Sequence, residues 1–408
     1  MKHFIINSII FLLLLQSCEI DITNVTIPQN RINDTLEGTL PIKDYIKANI
    51  NGKYKLSEGK EHFGDVIFLK WNGRYLTAFC KKNASFIVLE GGIRDSAIIL
   101  VGYWRFSQGS DNGFVKLSIE KDNGARELIA GLKPRTLTIS GEFETDATQK
   151  INLTYNDTLK SLDFLIIAHR GGGRNIDRHP ASENTIEMLN YVERLGANGV
   201  ELDVRITKDN IPVLFHDEYL NKRLIREDYF IGKVSDYTYQ QLRAFCTLKR
   251  GEKIPALKDA LQFIIYNTNL EFVWLDIKET GSVKQIAEIQ KQYSDLAKSL
   301  GRKIEIFLGI ADINIFNEFI NLENYRDYPS ICELDEDYVI KANSSFWGPR
   351  WSLGFLRERV TELQKLGKKA LVWTLDEPQF IKNFLDKSYF NGILTNYPTV
   401  VAYEYYSN

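Results

Sequence analysis

Leu165-Ile-Ile-Ala-His-Arg-Gly-Gly-Gly173, Pro180-Ala-Ser-Glu-Asn-Thr185, Gly199-Val-Glu-Leu-Asp-Val-Arg-Ile-Thr207 and Pro212-Val-Leu-Phe-His-Asp217 follow one another in the middle of a 408-residue chain. In three of these pieces a short apolar run, of the kind a buried parallel strand needs, ends in ionisable side chains. The glycines after His169-Arg170 permit a tight turn and close backbone approach. Val200, Leu202 and Val204 alternate with Glu201 and Asp203, so the two acids share one face of a strand. Burying two like charges without partners is too costly for an ordinary core. A bound cation removes that objection. Val213 to Phe215 is expected to be the next strand, bringing His216 to the same rim.

Successive strand ends converge on one point in a (β/α)8 barrel, whose active sites lie at the C-terminal face of the strands. The remaining chain fits that fold. Glu271-Phe-Val-Trp-Leu-Asp-Ile-Lys278 ends in an acid and a base on one face, and strands are expected at 304–310, 330–334, 370–375 and 392–395. Helices are expected at 282–299, 312–320 and 353–366, with Ser235 and Pro255 as further helix starts. A short segment at 345–347 lies between them.

The four linked motifs resemble those of the glycerophosphodiester phosphodiesterase family: His169-Arg170-Gly171, Glu183-Asn184-Thr185, Glu201-Leu202-Asp203-Val204 and His216-Asp217. The resemblance covers roughly 163–404. It implies a TIM barrel that hydrolyses glycerophosphodiesters to an alcohol and sn-glycerol 3-phosphate, with His169 and His216 as acid and base. Arg170 and Lys278 would bind the phosphate. Glu201, Asp203 and Asp276, all hard oxygen ligands, suit one divalent cation, Mg²⁺ or Ca²⁺, better than zinc. Glu183 would orient Arg170 or a histidine, and Trp373 would line the alcohol pocket. Asp276 and Asn396 depart from the family, which usually has Glu and Asp there. The alternatives are phospholipase D-like cleavage of lysophospholipids or sphingolipids, and a non-catalytic surface lipoprotein that binds phosphorylated head groups or glycans. His179, in the polar loop 174–180, reads as an exposed loop histidine or a substrate contact.

The length suggests two domains, and a net charge of −2 with no basic block gives no footprint for nucleic acid. Met1-Lys2-His3, an apolar run and Leu15-Gln16-Ser17-Cys18 read as a signal peptide with a lipobox-like end. Residues 1–18 would comprise the signal peptide and its lipobox cysteine, with cleavage before a lipidated Cys18, anchoring an exported protein to a bacterial membrane, on the periplasmic or surface face of an outer membrane. Cys80, Cys246 and Cys332 then form no disulfide framework. Residues 19–50 read as a polar tether, 51–155 as a small all-β, sandwich-like or barrel-like accessory domain, and 160–408 as the catalytic domain. The hairpin signal Asn72-Gly73 and six or more short strands support the β domain. Its rings Trp71, Tyr75, Phe79, Tyr103 and Trp104 either fill its core or form a glycan- or lipid-recognition face.

Overall fold

The computed structural model describes residues 25–408. Cys18 and the signal segment lie outside the described residues. Among the described residues, two closed sheets and the helices packed on them make up the fold.

The first sheet contains β1 (Leu40–Pro41), β2 (Gly52–Glu58), β3 (Val66–Asn72), β4 (Tyr75–Cys80), β5 (Ser85–Arg94), β6 (Ala97–Phe106), β7 (Asn112–Ile119), β8 (Thr138–Glu144) and β9 (Thr148–Asp157). Strands β2 to β9 pair antiparallel in sequence order and β9 returns to β2, closing an eight-stranded up-and-down barrel with β1 added beside β5. Closure removes sheet edges, which an open sandwich would leave exposed. Inward-facing residues such as Tyr54, Phe63, Leu76, Trp104 and Ile139 fill the interior.

The expected tether ends earlier than the sequence suggests. Helices Gln29–Leu36 and Asp44–Ile50 dock on this barrel through Ile32, Ile46 and Ile50, each at most 2% exposed. Apolar residues spaced along a largely polar segment gave each short helix one buried stripe. Of the five rings singled out in this domain, Trp71, Phe79, Tyr103 and Trp104 are buried, either in the barrel core or against the second domain, and Tyr75 is half-buried.

The second sheet is the TIM barrel. Its eight parallel staves are β10 (Leu165–Ala168), β11 (Gly199–Ile206), β13 (Phe272–Ile277), β14 (Glu305–Ile310), β15 (Ser330–Cys332), β16 (Phe346–Trp347), β17 (Lys369–Val372) and β18 (Gly392–Thr395). Strand β10 pairs with both β11 and β18 and so closes it. Layers of Ile167, Trp274, Phe307, Ile331, Leu371 and Leu394 fill the inside. Helices pack outside, the longest being Val283–Ser299.

The segment expected as the third stave is not one. Strand β12 (Pro212–Leu214) runs antiparallel to the extended end of β11, with Val204 opposite Leu214. Only residues 207–211 connect the two, enough for a hairpin and too few for a parallel crossover. The two-residue β16 supplies the missing stave. Likewise Ser235 opens no α-helix: the helix Tyr239–Phe245 is capped by Thr238, whose hydroxyl accepts from Gln241 N while Gln241 reaches back to Thr238 N. Leu257–Asn267 begins two residues after Pro255, with Ala256 as its N-cap.

Candidate active site

The parallel register builds the site. Glu201 and Asp203 share a face of β11, and β13 lies alongside with Asp276 paired beside Asp203. One carboxylate oxygen from each of the three lies within 4.8 Å of the others. Glu201 Oε1 and Asp276 Oδ1 are buried and accept no hydrogen bond, and Asp203 Oδ1 faces the Lys278 ammonium at 2.9 Å. Lys278 also pairs with Asp276. Burial and the neighbouring acids push Glu201 well above the usual carboxylate range. Burial also raises Asp276, which Lys278 offsets only in part. Asp203 is held low: burial would raise it, but Lys278, His216 and Arg170 outweigh burial. Burial would lower Lys278, and the three acids drive it upward instead. Three converging carboxylates with orphaned oxygens and one lysine leave negative charge uncompensated, so the trio fits a hard divalent cation.

Strand β10 delivers His169 and Arg170. Arg170 and Gly171 take left-handed turns (φ 53° and 79°), so that the Arg170 N–H points back at Glu201 Oε2, 2.8 Å away. The Arg170 guanidinium donates to Glu183 Oε1 at 2.8 Å and lies 3.9 Å from Asp203 Oδ2. Glu183 is therefore the group that orients Arg170, and its carboxylate also lies 3.2 Å from Arg223.

His169 is held in one tautomer. Asn396 donates through Nδ2 to Asp376 Oδ2 at 2.7 Å, which turns its Oδ1 toward His169 Nδ1 at 2.8 Å. The imidazole must then carry its proton on Nδ1 and leave a lone pair on Nε2, 3.8 Å from Glu201 Oε2. Burial, with Arg170 next in weight, pushes its pKa down to about 3, so the ring is neutral at ordinary pH.

His216 is backed differently. Its Nδ1 lies 2.6 Å from Asp217 Oδ1, and Arg205 donates twice to its carbonyl, at 3.0 and 2.9 Å. Burial would raise Asp217, yet hydrogen bonds from His216, Arg223 and Asn221 hold it below the usual carboxylate range. One imidazole thus faces an amide and the other a carboxylate.

Trp373, one residue beyond β17, donates from Nε1 to Gly348 O at 2.7 Å, and the Arg350 guanidinium lies 4.7 Å from its ring centroid. His179 is not in an exposed loop. It is 4% exposed, beneath the 174–178 turn. Cys80, Cys246 and Cys332 are buried free thiols.

Several site residues were not singled out from the sequence. Asn184 donates to Asp203 Oδ2 at 2.7 Å and accepts from Asp203 N at 3.2 Å. Its place inside the Glu-Asn-Thr motif was the available signal. Arg223 and Asp376 hold site residues from loops without any motif. Glu333, one residue beyond β15, is half-buried near Asp276 and Lys278, and burial together with Asp276 raises its pKa well above the usual range.

Residues 169–400 match the glycerophosphoryl diester phosphodiesterase family. The chain belongs to this family of phosphoric diester hydrolases. It is 25% identical over 251 residues to the glycerophosphodiester phosphodiesterase of Caldanaerobacter subterraneus subsp. tengcongensis, covering 57% of this chain and 94% of that one. It is 36% identical over 138 residues to glycerophosphodiester phosphodiesterase 1 of Homo sapiens, covering 32% of this chain but only 38% of the human one. Among solved structures, a glycerophosphodiester phosphodiesterase from Parabacteroides distasonis aligns with a TM-score of 0.45 at 22% identity, over 58% of this chain and 94% of that one. The family match begins at His169 and so leaves out the antiparallel barrel.

Proposed function

We propose that the protein hydrolyses glycerophosphodiesters to an alcohol and sn-glycerol 3-phosphate, with one cation, Mg²⁺ or Ca²⁺, held by Glu201, Asp203 and Asp276. The observation that carries this reading is the set of three converging carboxylates with orphaned oxygens, flanked by two imidazoles in complementary settings. When bound, the cation supplies positive charge where the phosphoryl oxygens gain negative charge.

The chain's own residues do the rest. Arg170 and Lys278 hold the phosphate oxygens and favour the more negative transition state. His169, neutral with a free Nε2 lone pair, takes the proton of the attacking oxygen. His216, whose ring the Asp217 carboxylate orients through Nδ1, gives a proton to the leaving alkoxide. Each such transfer accelerates the reaction by roughly 10² to 10⁴. Trp373 and the Arg350 above it form the wall on the alcohol side.

The test follows sn-glycerol 3-phosphate released from glycerophosphocholine, glycerophosphoethanolamine and glycerophosphoinositol with Mg²⁺, Ca²⁺ or EDTA, beside His169→Ala. Release that needs both metal and His169 is expected. Release that survives EDTA or the substitution contradicts the reading, and cleavage of lysophospholipids alone would move it to the phospholipase D-like alternative. Lipidation at Cys18 belongs to the same proposal. Incorporation of labelled palmitate, lost in Cys18→Ala, is the expected result.

A further inference from the structure

Arg105, in β6 of the accessory barrel, is 1% exposed, yet it forms no ion pair among the described residues. Its hydrogen bonds go to oxygens without formal charge. Nη2 donates to Arg178 O at 2.7 Å and to Gly109 O at 3.3 Å, and Nη1 lies 3.5 Å from the Tyr191 hydroxyl. Taking a guanidinium out of water without a carboxylate is costly, and an aliphatic side chain would fill the space without that cost. The charge is therefore kept for what it binds.

What it binds is a turn of the catalytic barrel. Arg178 sits at φ 58° at the end of the 174–178 turn. Within the turn, Asn175 N–H donates to Glu183 Oε2 at 2.8 Å, and Asn175 Oδ1 accepts from Glu183 N–H at 2.9 Å. This reciprocal clasp holds the carboxylate that aims Arg170. Asp177 fixes the middle of the turn, accepting from the Tyr397 hydroxyl at 2.7 Å. The two barrels are fastened nearby through Ser107 and Thr399, whose hydroxyls lie 2.7 Å apart, and through Thr77 donating to Arg194 O at 3.0 Å. Phe68 and Phe79 of the accessory barrel are built into the core of the catalytic domain.

We propose that Arg105 is a positioning residue for the phosphodiesterase reaction: it holds the Arg178 carbonyl and thereby the turn through which Asn175 and Glu183 aim Arg170. The accessory barrel is then a working part of the phosphate clamp. This rests on the role of Arg170 given above.

The experiment uses the full chain and compares wild type with Arg105→Met, Arg105→Lys, Arg170→Lys and the double variant Arg105→Met/Arg170→Lys. Arg105→Met should lower kcat about 10- to 100-fold, because a small misplacement of a clamp is expensive. Arg105→Lys, which can still donate to the carbonyl, should recover part of it. In the Arg170→Lys background the same change should cost little, since the two act as one unit. Losses that multiply in the double variant, or an Arg105→Met kcat within twofold of wild type, would overturn the proposal. Leu117→Ala, in the accessory core away from the turn, should lower Tm and leave kcat unchanged; an equal fall in kcat would also overturn it. Amide hydrogen exchange at 174–178 reads the link without substrate. Faster exchange in Arg105→Met, or in Arg105→Lys if Arg105→Met does not fold, supports the proposal, and unchanged exchange overturns it. If the wild type released no glycerol 3-phosphate, the proposed function would fail while the exchange result still decided the link.

Discussion

The molecule holds two closed eight-stranded barrels that differ in one respect with large consequences. In the antiparallel barrel successive strands run in opposite directions, so their connections alternate between the two ends, and the interior is filled by Phe63, Leu76, Trp104 and their neighbours. In the parallel barrel every strand runs the same way. All C-terminal ends meet at one mouth, where His169, Glu201, Asp276 and Lys278 come together. Direction of pairing, more than strand number, decides which barrel can assemble a reaction centre. The antiparallel barrel contributes by packing: it holds a turn beside that centre.

The comparison predicts separable losses. His169→Ala should reduce kcat by about 10²- to 10⁴-fold with an unchanged Tm, since the ring makes no core contact that the fold requires; steady-state kinetics beside thermal melting would check it. Phe63→Ala, in the filled barrel, should do the reverse, costing about 3–5 kcal/mol of stability while the folded fraction keeps its kcat. A denaturant titration reads the first quantity, and assays well below the melting transition read the second. Asn184→Ala removes both hydrogen bonds to Asp203 and should weaken cation affinity about 10- to 100-fold, measured by calorimetry. The smallest change concerns His169 alone. With Asn396→Asp a carboxylate would face Nδ1, raising the imidazole pKa from its depressed value by ~1 unit or more. Because the base works as the neutral ring, the acid limb of the kcat/KM profile should then move to higher pH; a limb that moves to lower pH, or not at all, would refute the tautomer assignment.

Much of this was legible in the sequence because motif residues sit at strand ends, where apolar runs break into charged pairs. Strand alternation placed Glu201 and Asp203 on one face, and spacing placed Asp276 beside Lys278. The eight-stranded parallel barrel and its family followed. The role of β12 was not legible from its apolar run, since Val213 and Leu214 are buried whether the strand runs parallel or antiparallel. Only the short connection at 207–211 distinguishes the two. Stave β16 was hard to see because two residues, Phe346 and Trp347, suffice when neighbouring strands supply the pairing. The docking of 29–50 depends on a few isoleucines in polar surroundings. His179 looked exposed because its neighbours are polar, and it is buried because the other barrel covers the turn. Asn184, Arg223 and Asp376 act by hydrogen bonds to partners distant in sequence, which periodicity does not encode.

The central claim is that the parallel barrel's mouth is a cation-dependent hydrolytic centre built by Glu201, Asp203 and Asp276. The most direct measurement is calorimetric titration of the metal-free protein with Mg²⁺ and with Ca²⁺, repeated on Glu201→Gln and Asp203→Asn. The account predicts one cation per chain for the wild type and loss of that binding in both variants. Binding of equal strength in either variant, or none in the wild type, would contradict it.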